Sequence, residues 1–361
     1  MASAEERRDE LVKRLLAATV GALDLLTVYV GDRLGLYWAL AERGPLTSEG
    51  LAAAAGIDER YAREWLEQQA ATAFLEVEDE TAGRLERSYL LPAGHDEALV
   101  DERSLNYVAP LGRALVGSSR PIDAVLDAFR TGGGVPYADY GEDLHEGQAR
   151  MTRPLFEHLL GGEWLPACPE IHERLNADPP ARVADVACGC GWSSISIARA
   201  YPKVRVDGID LDQASIDKAW NNLAGSGVED RVTFVHRDAA DPALAGHYDL
   251  VTIFEALHDM SRPVDALRSL RGLLAERGSV IVGDERTQDA FTAPASDYER
   301  LLYGFSVLHC LPVGMVGENP AGTGTVMRAD TVHRYATQAG FERFEILPIE
   351  NDLYRFYRLH S

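Results

Sequence analysis

The stretch Ala181-Arg-Val-Ala-Asp-Val-Ala-Cys-Gly-Cys-Gly-Trp-Ser-Ser194, carried on through Val204-Arg-Val-Asp-Gly-Ile-Asp-Leu-Asp212, decides the fold. Val183–Val186 carries β-branched residues and runs into small residues and glycines, which predicts a buried strand breaking into a tight turn. A helix is expected at once, with Ser193 and Ser194 as N-cap candidates, Ile195, Ile197 and Ala198 as its apolar face, and Tyr201-Pro202 as its stop. The second strand, Val204–Ile209, ends on Asp210. Strand, glycine turn, helix, strand and terminal acid describe the first half of a nucleotide-binding α/β unit, in which Asp210 accepts hydrogen bonds from both hydroxyls of a ribose.

The glycines do not by themselves name the ligand. Gly189-Cys-Gly191 is followed by Trp192, Ser193 and Ser194, where a dinucleotide fingerprint needs a further Gly or Ala. Asp185 is expected beside the turn. A carboxylate there repels a pyrophosphate docked on the helix N-terminus and suits a ligand that carries an ammonium and a sulfonium but no phosphate.

The stretch resembles the first motif of class I methyltransferases, usually acid-x-Gly-x-Gly-x-Gly, with Asp185, Gly189 and Gly191 in place and Ala187 where the first glycine normally stands. The resemblance implies S-adenosyl-L-methionine as cofactor and an α/β, Rossmann-like seven-stranded methyltransferase sheet over residues 181–361. It places Asp210 and Leu211 on the nucleoside, Asp238 on the adenine amino group and Ala239 against the ring. The strand Tyr248–Phe254 should end at the ligand crevice, where Glu255 or the backbone of Phe254 meets the methionine ammonium.

The whole chain sets bounds. Its 361 residues suffice for two or three domains. A formal net charge of −22 argues against non-specific nucleic-acid binding and against an acidic membrane surface. The four cysteines suggest no disulfide framework, and Cys188-x-Cys190 is too closely spaced for a zinc knuckle, so a reducing cytoplasm is expected. No signal peptide is expected, because residues 3 to 10 are dominated by charge; the apolar run from Leu15 to Leu40 is interrupted by Asp24, Asp32 and Arg33 and is expected to be a helical core or interface, not a membrane span.

Residues 1–94 are expected to be a mostly helical winged-helix domain. Leu11, Leu15, Leu16, Leu23, Leu26 and Val30 lie at near-helical spacing on more than one face, so this helix needs two sets of neighbours, and a partner subunit is one way to supply them. Thr47-Ser48 and Asp58 are caps for two further helices, and Phe74–Val77 and Arg84–Tyr89 are expected as wing strands. The helix in the place of a recognition helix, Asp58-Glu-Arg-Tyr-Ala-Arg-Glu-Trp-Leu-Glu, carries more acids than arginines, so a duplex is repelled. The region resembles the N-terminal domain of winged-helix methyltransferases that modify small molecules, which implies a homodimer.

Residues 95–180 read as a helical linker and acceptor-pocket region. The loop Thr131-Gly-Gly-Gly-Val-Pro-Tyr-Ala-Asp-Tyr offers Tyr137 and Tyr140 as acceptor contacts. Farther on, His258-Asp259 resembles the His-Asp pair of small-molecule O-methyltransferases, which implies His258 as the base that removes the acceptor proton. In Asp284-Glu-Arg at a strand's carboxyl end, Glu285 is the candidate to orient His258 or hold an acceptor group. The insertion from Thr287 to Arg328 adds Tyr303, Phe305, His309 and Met315 as acceptor candidates. No metal is expected, because nothing resembles a catechol-type magnesium site. The expected function is therefore methyl transfer to a small molecule, at oxygen first and at nitrogen or carbon otherwise, as in bacterial secondary metabolism. A cofactor-sensing transcriptional regulator and a nicotinamide oxidoreductase are the readings from other classes.

Overall fold

Arg182–Val186, buried at every position after its first, is the central strand around which the catalytic half of the chain is laid. The computed structural model describes residues 2–241 and 243–361. Two compact units are present, one built from residues 2–117 with 142–154 and the other from 118–141 with 155–361. The 95–180 segment contributes to both.

In the first unit, α1 (Ala4–Arg33) is longer than the apolar spacing alone suggests, because Ser3 and Glu6 close a capping box ahead of it. It is followed by α2 (Leu36–Arg43), α3 (Ser48–Ala55) and α4 (Glu59–Ala71). Thr47 and Asp58 cap α3 and α4 as their residue types require, accepting from Gly50 N at 3.2 Å and Arg60 N at 2.9 Å. The wing is shorter than expected: β1 is Glu76–Val77 and β2 is Tyr89–Leu90, with Leu46 bridged to Tyr89. The segment before β2 spends its polar groups on turns instead, Asp79 accepting from Thr81 N and both Glu86 N and Arg87 N donating to Gly83 O. Tyr37, Leu40, Leu51, Leu66 and Tyr89 form the core of this unit. Of the thirty residues of α1, Val28 and Gly31 are buried, whereas Leu15, Leu16, Val20 and Leu23 are each more than half exposed.

In the second unit, β3 (Arg182–Val186), β4 (Arg205–Asp210), β5 (Val232–His236), β6 (Tyr248–Phe254), β7 (Leu274–Glu285), β8 (Arg343–Ile346) and β9 (Tyr354–His360) form one sheet. Its order is β5-β4-β3-β6-β7-β9-β8, and β9 runs antiparallel to both of its neighbours. The chain moves outward from β3 to β5, then returns to lay β6 on the other side of β3. A crevice therefore opens at the carboxyl ends of β3 and β6, where ligands bind in open α/β sheets. Alternation along the strands feeds two cores. Val183, Leu250, Phe254 and Ile281 face one with Phe156, Trp164 and Phe356, while Val186, Val251, Val280 and Val282 face the other with Leu267, Leu270 and Val332. Among the described residues, no helix is long and apolar enough to cross a membrane.

Candidate active site

The turn after β3 holds two features that side chains normally avoid. Ala187 adopts φ +55° and Gly189 and Gly191 adopt +50° and +81°. A left-handed alanine costs roughly 1–2 kcal/mol, which glycine would not. At Gly191 the absent Cβ is needed, since one would stand 2.4 Å from the Phe234 ring. The helix Trp192–Ala200 starts at Gly191 itself, so Ser193 and Ser194 are not its caps but sit in its buried first turn.

Their hydroxyls turn inward onto Asp185. Its Oδ2 accepts from Ser193 Oγ at 2.5 Å and Ser194 Oγ at 2.6 Å, and Oδ1 accepts from Thr252 Oγ1 of β6 at 2.8 Å. The carboxylate is 1% exposed. Burial pushes its pKa up, against these hydrogen bonds, which pull it down. Asp185 ties β3, β6 and the helix start together from beneath the turn. Its charge still acts through space on whatever lies above.

Asp210 is differently placed. It ends β4, is partly exposed, and accepts from Gly189 N and Asp212 N, both at 2.8 Å, one on each oxygen. Each oxygen keeps a lone-pair direction for a hydroxyl. Leu211 beside it is 64% exposed, an apolar side chain standing out at the crevice. Ala239 is buried, while Asp238 accepts from Ala240 N and pairs with Arg262 at 3.3 Å.

At the end of β6, Phe254 packs its ring on Phe156 at 5.5 Å, so only its backbone is offered to the crevice. Glu255 takes φ +50°, held by its N–H on Gly283 O at 2.9 Å, and its carboxylate accepts from the Tyr354 hydroxyl. Non-glycine left-handed residues thus stand at the ends of both strands that flank the crevice, a strain that persists where surrounding structure fixes it.

His258 lies in the turn that follows. It is buried, with Nδ1 2.6 Å from Asp284 Oδ1 and Nε2 3.1 Å from Asp259 Oδ1. Burial pulls its pKa down, but the charges of Asp284 and Asp259 outweigh that and hold it well above its ordinary value. Burial likewise pushes Asp259 up, yet the His258 charge dominates and sets its carboxyl at about 2. The residue that orients His258 is therefore Asp284, which corrects the choice of Glu285. Asp284 shares a strand face with Val280 and Val282, and Glu285 points to the other, where it accepts from Tyr298 Oη at 2.6 Å.

Glu285 and Glu255 face each other's charge on that side. Burial lifts Glu255 to about 7 against the Tyr354 bond, and burial with the Glu255 charge lifts Glu285 to about 8 against the Tyr298 bond. A carboxyl raised in the folded chain stabilises it below the unfolded value, and that contribution is lost as pH rises through the folded one. Glu285→Gln should therefore nearly match the wild type in thermal midpoint at pH 4, below the unfolded value, and exceed it increasingly up to pH 9. Each unit of upward shift is worth about 1.4 kcal/mol. Equal midpoints at pH 9 would show that Glu285 is not held protonated.

The acceptor candidates divide. Tyr140 is fully buried, donates to Leu308 O at 2.9 Å and meets the His309 ring edge-on at 4.6 Å. Tyr137 lies 5.9 Å from His309, and burial followed by the charge of Asp210, with Asp259 also acting, lifts its hydroxyl well above 10. A widened π-helical turn, Ser306–Cys310, brings in His309. Met315 packs on Gly322 and lies beside Gly134. Tyr303 contacts Phe291 and Arg328 instead, and Phe305 is half-buried at the end of its helix, so neither is grouped with His258. Asp284, Tyr298, Tyr354, Thr252 and Cys310 are the site residues that motif reading missed. For Asp284 the strand offers no signal, because β7 runs Val280-Ile281-Val282 and is buried on both faces.

Residues 183–278 match a methyltransferase domain family, and residues 21–101 match the Rv2258c-like winged HTH domain. A 27-O-demethylrifamycin SV methyltransferase of Amycolatopsis mediterranei is 28% identical over 150 residues, 40% of this chain and 52% of that one. Matched stretches cover 29% to 52% of the length of the foremost curated relatives. Human N-acetylserotonin methyltransferase, solved with its cofactor SAM, superposes with a TM-score of 0.70 at 18% identity, covering 100% of this chain and 99% of that one. A mitomycin 7-O-methyltransferase gives 0.67 at 17%, covering 98% and 99%. The chain thus carries a methyltransferase domain and an N-terminal winged helix-turn-helix domain, in the fold of class I methyltransferases.

Proposed function

We propose that this chain, a methyltransferase domain joined to a winged helix-turn-helix domain, transfers a methyl group from S-adenosyl-L-methionine to a hydroxyl of a small molecule. The observation that carries the reading is His258, in the turn after β6, the strand beside β3, with its ring held on Asp284 of β7. The residues present fit the cofactor. Asp210 has acceptor directions for the ribose, Leu211 an exposed apolar face for the base, Asp238 and Ala239 follow β5, and the acids around Glu255 suit a cation. Bound there, S-adenosylmethionine supplies a methyl already activated by its sulfonium.

The chain's own residues then have two tasks. Tyr137, His309 and Met315 wall the acceptor so that its oxygen is held in line, and orientation of this kind contributes about 7–11 kcal/mol in favourable systems. In its neutral form, which its raised pKa leaves as the form favoured at higher pH, His258 Nε2 takes the hydroxyl proton, while Asp284 keeps Nδ1 protonated and Asp284 and Asp259 stabilise the imidazolium that results. Calorimetry with adenosylhomocysteine and with NAD tests the reading. Saturable binding of the first alone supports it, and binding of NAD alone overturns it in favour of an oxidoreductase.

We read the N-terminal unit as a dimer module. The exposed apolar run of α1, Leu15, Leu16, Val20 and Leu23, is more than a lone helix leaves in water. Leu16→Glu with Leu23→Glu should convert a dimer into a monomer in sedimentation equilibrium; a wild-type chain that is monomeric at every concentration removes the idea. Both arginines in the first turns of α4 are paired on that helix, Arg60 with Glu64 and Arg63 with Glu59 at 3.4 Å, which supports the absence of a duplex partner. Four buried cysteines, none of them in a disulfide, fit a cytoplasmic location.

A further inference from the structure

Two donor atoms of the kind that bind transition metals stand beside the imidazole of His258. Asp259 Oδ1 is 3.1 Å from His258 Nε2, and with Cys310 Sγ the three residues offer ligand atoms that all lie within 4.8 Å of one another. His258 and Cys310 are each 4% exposed, while the side chain of Asp259 is 16% exposed and gives a path in. Two of the three come from the turn after β6 and the third from the end of the Ser306–Cys310 turn.

Two independent observations point to a cation here. Asp259 Oδ1 is buried and meets no donor at good hydrogen-bond geometry, although the His258 ring stands at ion-pair distance and the Cys310 thiol also bears on the carboxyl. His258 Nδ1 is already tied to a buried carboxylate, Asp284, which fixes the ring with Nε2 forward; metal-ligating histidines have their other nitrogen held in this way.

We propose that His258 Nε2, Asp259 Oδ1 and Cys310 Sγ form a binding site for a thiophilic divalent cation, zinc above all, whose occupancy switches methyl transfer off by engaging Nε2. Zinc sits about 2.0–2.1 Å from imidazole nitrogen, 2.0–2.2 Å from carboxylate oxygen and 2.3 Å from sulfur, so neighbouring tetrahedral ligands are roughly 3.3–3.8 Å apart. The His258–Asp259 spacing is near that already, and the sulfur has about 1 Å to move at most. A mixed nitrogen, oxygen and sulfur set selects zinc over magnesium or calcium, which take oxygen ligands. On binding, the Cys310 thiol proton and any proton on Nε2 leave to solvent, and thiolate and carboxylate together balance the charge of the ion. Three protein ligands leave a fourth position for water. The coordination stands on the ligand set alone, whereas the switching rests on the transferase reading.

Cobalt(II) serves as the probe. Added to the full-length chain freed of metal, it should give a thiolate-to-cobalt band in the near ultraviolet that saturates at one equivalent and is displaced by zinc. Cys310→Ser should abolish the band, and Asp259→Asn should weaken zinc at least tenfold in competition with a chromophoric chelator. Circular dichroism verifies that each variant is folded, and Cys168→Ser is the control thiol. No band in the wild type, or one that survives Cys310→Ser, overturns the site. Turnover should fall at stoichiometric zinc, recover with chelator, and in Cys310→Ser need at least tenfold more zinc for the same loss. Undiminished turnover at saturating zinc overturns the switch. A cobalt band in a chain that binds no adenosylhomocysteine leaves the metal site standing and removes the transferase reading.

Discussion

Replacing Asp185 by alanine should lower the stability of the chain by about 3–5 kcal/mol. Three hydroxyls, from Ser193, Ser194 and Thr252, give their protons to this one buried carboxylate. Hydrogen bonds to a charged group contribute about 1.5–3 kcal/mol each, and a buried donor left without an acceptor costs about 1–3 kcal/mol. Some of that sum returns because a buried charge is removed along with it. Asp185→Asn keeps an acceptor at one oxygen position, and hydroxyls can turn to meet its amide, so its loss should be smaller, about 1–2 kcal/mol. Urea unfolding of both variants measures this. An Asp185→Ala chain with wild-type stability and weakened adenosylhomocysteine binding would return the acid to the ligand face and contradict the geometry.

The second large effect belongs to His258. If the acceptor is a hydroxyl, His258→Ala should lower kcat by about 10²- to 10⁴-fold, which is about 3–5 kcal/mol of barrier, while leaving adenosylhomocysteine affinity within a few fold. Asp284→Asn should lose less, since the amide oxygen still accepts from Nδ1 but brings no charge to stabilise the imidazolium. Glu285→Ala should be nearly neutral in turnover, because Glu285 bonds Tyr298 on the opposite face of β7. The ranking is the test. An enzyme in which Glu285→Ala costs more than Asp284→Asn is wired otherwise, and one in which His258→Ala costs only a few fold acts on an amine or a carboxylate.

Motif reading reached the sheet because its signals are local. β-branched residues, two left-handed glycines and a terminal acid lie within one short run, and each acts on the backbone that carries it. It went wrong where the deciding contact is made by residues far apart. Ser193 and Ser194 look like caps until Gly191 takes the cap with its left-handed backbone, and only Thr252, a whole strand away, completes the pocket that claims their hydroxyls. Tyr298 and Tyr354 carry no motif at all; Tyr354 reaches Glu255 because β9 inserts between β7 and β8, and Tyr298 reaches Glu285 from the helix Asp297–Phe305. Asp284 against Glu285 was not decidable from β7 itself, since Ile281 faces one core and Val280 and Val282 the other, and only the position of His258 distinguishes the two acids. Tyr303 and Phe305 were chosen for residue type on a helix whose exposed face could not be assigned without its neighbours.

Gly134 sets a rule for anyone exchanging acceptor specificity among relatives of this chain. A Cβ at that position would lie 2.4 Å from Val316 N and 2.7 Å from Pro312 O, and the next residue donates from Val135 N to Pro312 O at 2.9 Å. The segments 132–140 and 306–316 are consequently a single cassette cut into two by the primary structure. Transplanting the later half alone would set foreign backbone against an unyielding glycine seat, so functional chimeras have to carry both halves together.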